Sequence, residues 1–197
     1  MYFLNGDRLY IKPEKANISL NEQLQNCLNQ LKRINSGKEI FKLNFFVDAV
    51  SDLEYNRLNS EIRLQISNLF SQPVITSLIA QPPLSCKIII EVFLYDPKSW
   101  QAKPVRTEGD LAILFRRGNS EILIGTAQTN TKFNFIGNAK DIFATLGELL
   151  EKVNFPIKSI VRQWNYIEDI VGFDEKRQKY QDFNDVRSAF YAKHFEK

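Results

Sequence analysis

One order of elements occurs twice along the chain, and it restricts the fold more than any single motif does. A strand-like KLNFFVDAV run leads into the helical pattern SDLEYNRLNSEIRLQI, and later VRQWNYIEDI leads into DEKRQKYQDFNDVRSAF. Each pair follows an apolar helical stretch, with Leu20, Leu24, Cys27, Leu28 and Leu31 in the first and Ile142, Leu146, Leu149 and Leu150 in the second. Residue identity between the copies is slight, so the reading is of two related arrangements. A helix with one apolar stripe must bury it against a sheet or another helix. The pattern therefore predicts an α+β fold with helices packed on one face of a mixed β-sheet.

Local signals set the expected boundaries. Asn5-Gly6 between two apolar stretches predicts a tight hairpin. Asn17 or Ser19 can cap the first helix, which Gly37 ends. Residues 40–47 read as a strand, and Asp52 opens a helix with Leu53, Leu58, Ile62, Ile66 and Leu69 on one face, stopped by Pro73. Two further strands, 74–80 and 88–94, flank the Pro82-Pro83 corner. The stretch DPKSWQAKPVRTEGD supplies a connector over 97–108, and Trp100 implies that it is packed. Arg117-Gly118-Asn119 predicts a second hairpin between strands 111–115 and 121–126. A helix over 140–153, a strand over 160–167 and a helix over 175–194 complete the reading. Units 1–96 and 109–197 result, the second expected to lack its final strands and to share a sheet or belong to a larger assembly.

Composition excludes several classes. With 197 residues and 44% hydrophobic content the chain can bury a core. Its apolar runs, such as 88–94, are far shorter than the roughly 20 residues that span a bilayer. Asp7 and Lys12 interrupt any secretory leader pattern, so a cytoplasmic location with no membrane partner is expected. Cys27 and Cys86 form neither a disulfide framework nor a metal pattern, and His194, the only histidine, has no companions for a metal site. Lys and Arg total 26 against 23 Asp and Glu, a net charge of +3 with mixed signs. Nucleic acid is not expected as a partner, since Arg116-Arg117 is the nearest approach to a basic face. The GTAQ stretch at 125–128 is too short and glycine-poor to cradle phosphate, so no nucleotide, flavin or nicotinamide cofactor is indicated.

The candidate binding residues gather between Ile160 and Tyr191. Strand alternation would put Val161, Gln163, Asn165 and Ile167 on one face and Arg162, Trp164 and Tyr166 on the other. A guanidinium beside two aromatic rings can hold a planar carboxylated ligand, or the rings can fill space under the helices while Arg162 reaches solvent. On the following helix Tyr180, Phe183, Asn184, Arg187 and Tyr191 share a stripe, and Asn184 and Arg187 add donors to it. Asp182 and Asp185 read as surface ion-pair partners. Glu91, inside IIIEVFLY, is the candidate supporting acid, either orienting Arg162, Arg106 or another cation across the sheet or acting as a general acid.

Together QPPL at 81–84, IIIEVFLY at 88–95, the hairpin to Gln128, VRQWNYIEDI at 161–170 and YQDFNDVRSAF at 180–190 resemble the amino-terminal portion of the chorismatase family, the FkbO/Hyg-like chorismate-transforming proteins, within the wider YjgF/RidA-like superfamily. The resemblance is clearest over 73–195. It implies two YjgF-like units, chemistry on chorismate without metal or organic cofactor, and a cleft completed by a carboxyl-terminal partner region; a homo-oligomer is the other assembly it allows. It also implies Arg162, Tyr166 and Arg187 as substrate-facing, and carries over no catalytic acid. Small YjgF/RidA-like imine deaminases are similar too, but where they bear a carboxylate-binding arginine this chain has Ile75 and Thr76. Three functions remain: a chorismate-processing component that binds a small carboxylated metabolite and hydrolyses its enol ether, a noncatalytic binding or assembly module, and an imine or enamine deaminase.

Overall fold

The computed structural model describes residues 4–34, 36–107, 110–128, 134–174 and 177–195. It is an α+β structure whose residues gather into two compact units. One comprises Met1–Pro104 with Leu111–Thr126, and the other Val105–Asp110 with Ala127–Lys197.

In the first unit, β1 (Arg8–Ile11), α1 (Leu20–Lys32), β2 (Glu39–Val47), α2 (Asp52–Leu69), β3 (Ile75–Ile79) and β4 (Ile88–Tyr95) follow one another. The four strands form one mixed sheet in the order β1-β4-β2-β3. β4 lies antiparallel to β1 and β2, whereas β3 is parallel to β2 because α2 carries the chain back between them. Ser19 caps α1 in a capping box with Glu22, and Ser51 caps α2. Leu24, Cys27, Leu28 and Leu31 of α1 and Leu58, Ile62 and Ile66 of α2 pack on Leu43, Phe45, Val47, Ile88, Ile90, Val92 and Leu94 of the sheet. Leu53 falls outside this stripe and is 83% exposed.

The other face of the sheet builds a second cluster from Leu4, Phe41, Ile75, Tyr95, Trp100, Ile113 and Phe115. Ile113 and Phe115 come from β6 (Leu111–Arg117), which pairs with β7 (Ser120–Gly125) around Gly118 at φ +56°. This is the expected hairpin, its turn needing the left-handed conformation that glycine adopts without strain. Trp100 is buried as expected, but the connector around it contains a strand, β5 (Gln101–Arg106), at the edge of the β5-β6-β7 sheet. An edge is where a strand tolerates Pro104.

Of the hairpin expected at Asn5-Gly6, the first arm falls on residues 1–3, which lie outside the described residues; beyond the turn, β1 pairs with β4. Gly6 serves a close approach, since a Cβ there would sit 1.9 Å from the Leu94 carbonyl oxygen.

In the second unit α3 (Phe135–Lys152) and α4 (Lys179–Phe195) pack on each other. Phe143 is the centre, with ring centroids 5.7 Å from Phe183, 5.1 Å from Phe190 and 6.4 Å from Tyr191. The strand expected over 160–167 does not form. A short 3-10 turn at Ile157–Ser159 runs into irregular backbone, and among the described residues no strand lies beside it. Without a partner its N–H and C=O groups have no ladder to join. The last helix starts later than expected because β9 (Arg177–Gln178) pairs with β8 (Phe173–Asp174) just before it.

Candidate functional site

The segment between α3 and α4 is not a strand, and the expected alternation holds only in part: Gln163 and Ile167 are half-buried and Arg162, Trp164 and Tyr166 exposed, but Val161 and Asn165, expected on the face of Gln163 and Ile167, are exposed as well. Ile167 packs against the cluster of Ala139, Phe143 and Phe183, while Tyr191 Oη donates to Gln163 Oε1 at 3.0 Å. Those two inward contacts anchor the segment to the helix pair. They turn Arg162, Trp164 and Tyr166 outward, so the two rings do not fill the space beneath the helices.

Arg162 stacks its guanidinium 4.4 Å from the Trp164 ring centroid. Stacking holds a guanidinium flat while leaving its edge N–H groups free to donate. No carboxylate among the described residues lies within ion-pair distance of Arg162 or of Arg187, whose guanidinium sits 6.0 Å from the Phe183 ring. Three acids of this unit pair with other cations: Arg177 holds Asp182 at 3.3 Å and Asp185 at 2.8 Å, and Lys179 lies 3.7 Å from Asp169. Asp182 is buried beneath Arg177, so it supports the start of α4 rather than a solvated surface.

The predicted stripe on α4 divides. Phe183 is buried and Tyr191 half-buried in the α3–α4 contact, whereas Tyr180 is 53% exposed. Asn184 is half-buried, and its Oδ1 has no hydrogen-bond partner among the described residues, which leaves an unused acceptor. Burial raises the Tyr191 phenol above its ordinary range, with Arg187 opposing, so at neutral pH it is the protonated donor that Gln163 requires. The Tyr191–Gln163 bond lies one helical turn past Arg187 and between Arg162 and Trp164 in sequence. No hydrogen bond or ion pair joins the Arg162–Trp164 pair directly to Tyr180, Asn184 or Arg187.

Glu91 stands in the first unit. It is 3% exposed, and its carboxylate is fully engaged: Arg8 Nη2 and Tyr10 Oη, the latter at 3.0 Å, meet Oε1, while Asn44 Nδ2 donates to Oε2 at 2.7 Å. These partners place Glu91 as a cross-strand tie between β1, β4 and β2. The sequence pointed to Arg162, Arg106 or another cation as its partner; the cation is Arg8, and Tyr10 and Asn44 complete the contacts. The signal was present, because Lys42 and Asn44 are polar residues two apart in an otherwise apolar strand.

Among the described residues no group of three or more His, Cys, Asp or Glu could hold a metal ion, and no helix is long and apolar enough to cross a membrane. His194 belongs to α4, but its side chain is outside the described set. A family model described as chorismatase FkbO/Hyg5-like, N-terminal, matches residues 98–197. No curated protein matches the chain.

Proposed function

The chain belongs to the chorismatase FkbO/Hyg5-like N-terminal family, and from that membership we propose that its second unit supplies part of a binding site for chorismate or a related small carboxylated metabolite. The observation that carries the reading is Arg162, stacked on exposed Trp164 and without a carboxylate partner among the described residues. Arg162 would hold a substrate carboxylate, Trp164 and Tyr166 would bound the ring, and Arg187 with Asn184 and Tyr180 would add contacts from α4. The reaction proposed is hydrolysis of the enol ether. A proton adds to the terminal enol carbon, water attacks the resulting oxocarbenium carbon and gives up a proton, and the hemiketal then breaks its bond to the ether oxygen, which takes the hydroxyl proton, to release pyruvate and an alcohol. No residue here is assigned as the acid, which a carboxyl-terminal partner region would provide.

The wider proposal is that the first unit, with two helices on one face of a mixed sheet, is a YjgF-like unit and the second an incomplete relative of it. A noncatalytic binding or assembly module is the competing reading, favoured by the exposed apolar groups Val161, Trp164, Tyr166, Val171 and Phe173. The deaminase reading draws no support from β3, where Ile75 and Thr76 are both buried.

Chorismate titration followed by tryptophan fluorescence tests the proposal. Trp100 is buried and Trp164 is 55% exposed, so a saturable change reports mainly on Trp164. Arg162→Ala should weaken binding by about 10- to 100-fold, the range of a charged hydrogen-bonded contact. Pyruvate release is then followed with and without a carboxyl-terminal partner. Binding without turnover in either setting leaves the module, and no saturable binding in either removes the proposal.

A further inference from the structure

The sheet of the first unit carries a charge arrangement that the helix-side core does not need. A register shift between Ile40 and Lys42 marks a bulge in β2, and around it both Phe41 and Lys42 reach Phe93 of β4. The Phe41 and Phe93 ring centroids are 6.2 Å apart, and Lys42 Nζ lies 5.5 Å from the Phe93 centroid. From the opposite neighbour, β1 brings the Arg8 guanidinium 5.7 Å from the same ring. Two cations therefore share one aromatic ring, and a bulge is a common device for aiming side chains at a site.

One carboxylate serves this group, and it is committed elsewhere. Glu91 takes Arg8, Tyr10 and Asn44, while the Lys42 ammonium makes no hydrogen bond or ion pair among the described residues. Burial pushes the Lys42 amine below its ordinary range, with Glu91 opposing. A desolvated ammonium without an acceptor is costly, and an anion beside it removes the cost. The cluster of Arg8, Lys42 and Glu91 carries one net positive charge, which a single carboxylate would neutralise. Phe93, opposite Lys42 in the β2–β4 ladder, is half-buried, and Tyr10 on the edge strand β1 is 59% exposed.

We propose that this face of the sheet, centred on Lys42 and Phe93, binds a small carboxylate with an apolar body. The carboxylate meets Lys42 Nζ, and the apolar body lies against Phe93. The site is in the first unit and does not depend on the reading given to Arg162.

Benzoate is the probe, with benzyl alcohol as its neutral counterpart, and the full chain is followed by amide NMR shifts. Benzoate should give saturable shifts at Arg8, Lys42 and Phe93 that benzyl alcohol does not reproduce. Lys42→Met and Lys42→Gln should each weaken this binding at least about tenfold, while Arg162→Ala leaves it unchanged. Thermal melts of both Lys42 variants confirm that they fold. No benzoate shift at these residues, equal shifts with benzyl alcohol, shifts that survive both Lys42 substitutions, or shifts lost in Arg162→Ala would each overturn the proposal. A lysine that merely packs its stem and reaches toward solvent gives the surviving or absent signal.

Discussion

Asn44 Nδ2 donates to Glu91 Oε2 at 2.7 Å across the β2–β4 ladder, and both residues are buried. The pair sits in register on the sheet face opposite α1 and α2, so a charged group is held on the face that also carries the Phe41, Tyr95 and Phe115 cluster. Removing one partner leaves the other buried without its bond.

Glu91→Ala is expected to destabilise the protein by about 2 kcal/mol, mostly through the orphaned Asn44 amide, because Arg8 is half-exposed and can recover water. Asn44→Ala should cost less. The double variant should cost less than the sum, since both substitutions break the same contact. Urea melts of the three variants measure this.

Thiol reactivity should divide the two cysteines. Burial, with a contribution from Cys86, pushes the Cys27 thiol up to about 12, so almost no thiolate exists there at neutral pH. Cys86 is only half-buried. Iodoacetamide at pH 8 under native conditions should label Cys86 first, with Cys27 reacting at comparable rates only in denaturant, as peptide mass mapping would show.

Alkali should weaken the fold. Burial raises the Tyr55 and Tyr95 phenols above the ordinary value of 10.0, the Glu39 hydrogen bond adding to the effect at Tyr95 and Arg63 opposing it at Tyr55. Above about pH 10 the unfolded chain releases protons that the folded chain retains, so stability present below that pH declines as pH rises toward the folded values. Absorbance at 295 nm should show fewer tyrosinates at pH 11 in the native protein than in urea.

Phe143 joins α3 to three aromatic rings of α4, and Phe143→Ala should cost about 3–5 kcal/mol. Loss of near-UV circular dichroism at lower temperature is the expected sign. An unchanged melt would show that the α3–α4 contact is not held by this ring.

The legible parts of the fold are those in which one short stretch contains its own cause. The three- and four-residue spacing of Leu24, Cys27, Leu28 and Leu31 specifies the buried stripe of α1, while of the two caps its sequence allows, Asn17 and Ser19, it is Ser19 that starts the helix. Gly118 supplies the positive φ that the β6–β7 turn uses. Residues 161–167 mislead because a β-ladder needs a second backbone, which an alternation of residue types does not supply, and of the face expected to hold Val161, Gln163, Asn165 and Ile167 only Gln163 and Ile167 are half-buried.

The candidate site was legible to the same depth. Arg162 and Trp164 stand two apart, so their stacking on one outward face follows from local geometry. That α4 reaches this segment through Tyr191 and Gln163 depends on how α3 and α4 pack, and nothing within either stretch encodes it.

By itself the sequence determined the α+β class, the capped amphipathic helices, the Gly118 hairpin and the family resemblance, because each arises from spacing within a few residues. Only the tertiary structure decided that Glu91 meets Arg8, Tyr10 and Asn44, that Lys42 shares the Phe93 ring with Arg8, and that Asp182 is buried under Arg177. Strand order, bulge position and helix packing join residues far apart in the chain, and a charged side chain acquires its role from the neighbours that such pairing brings to it.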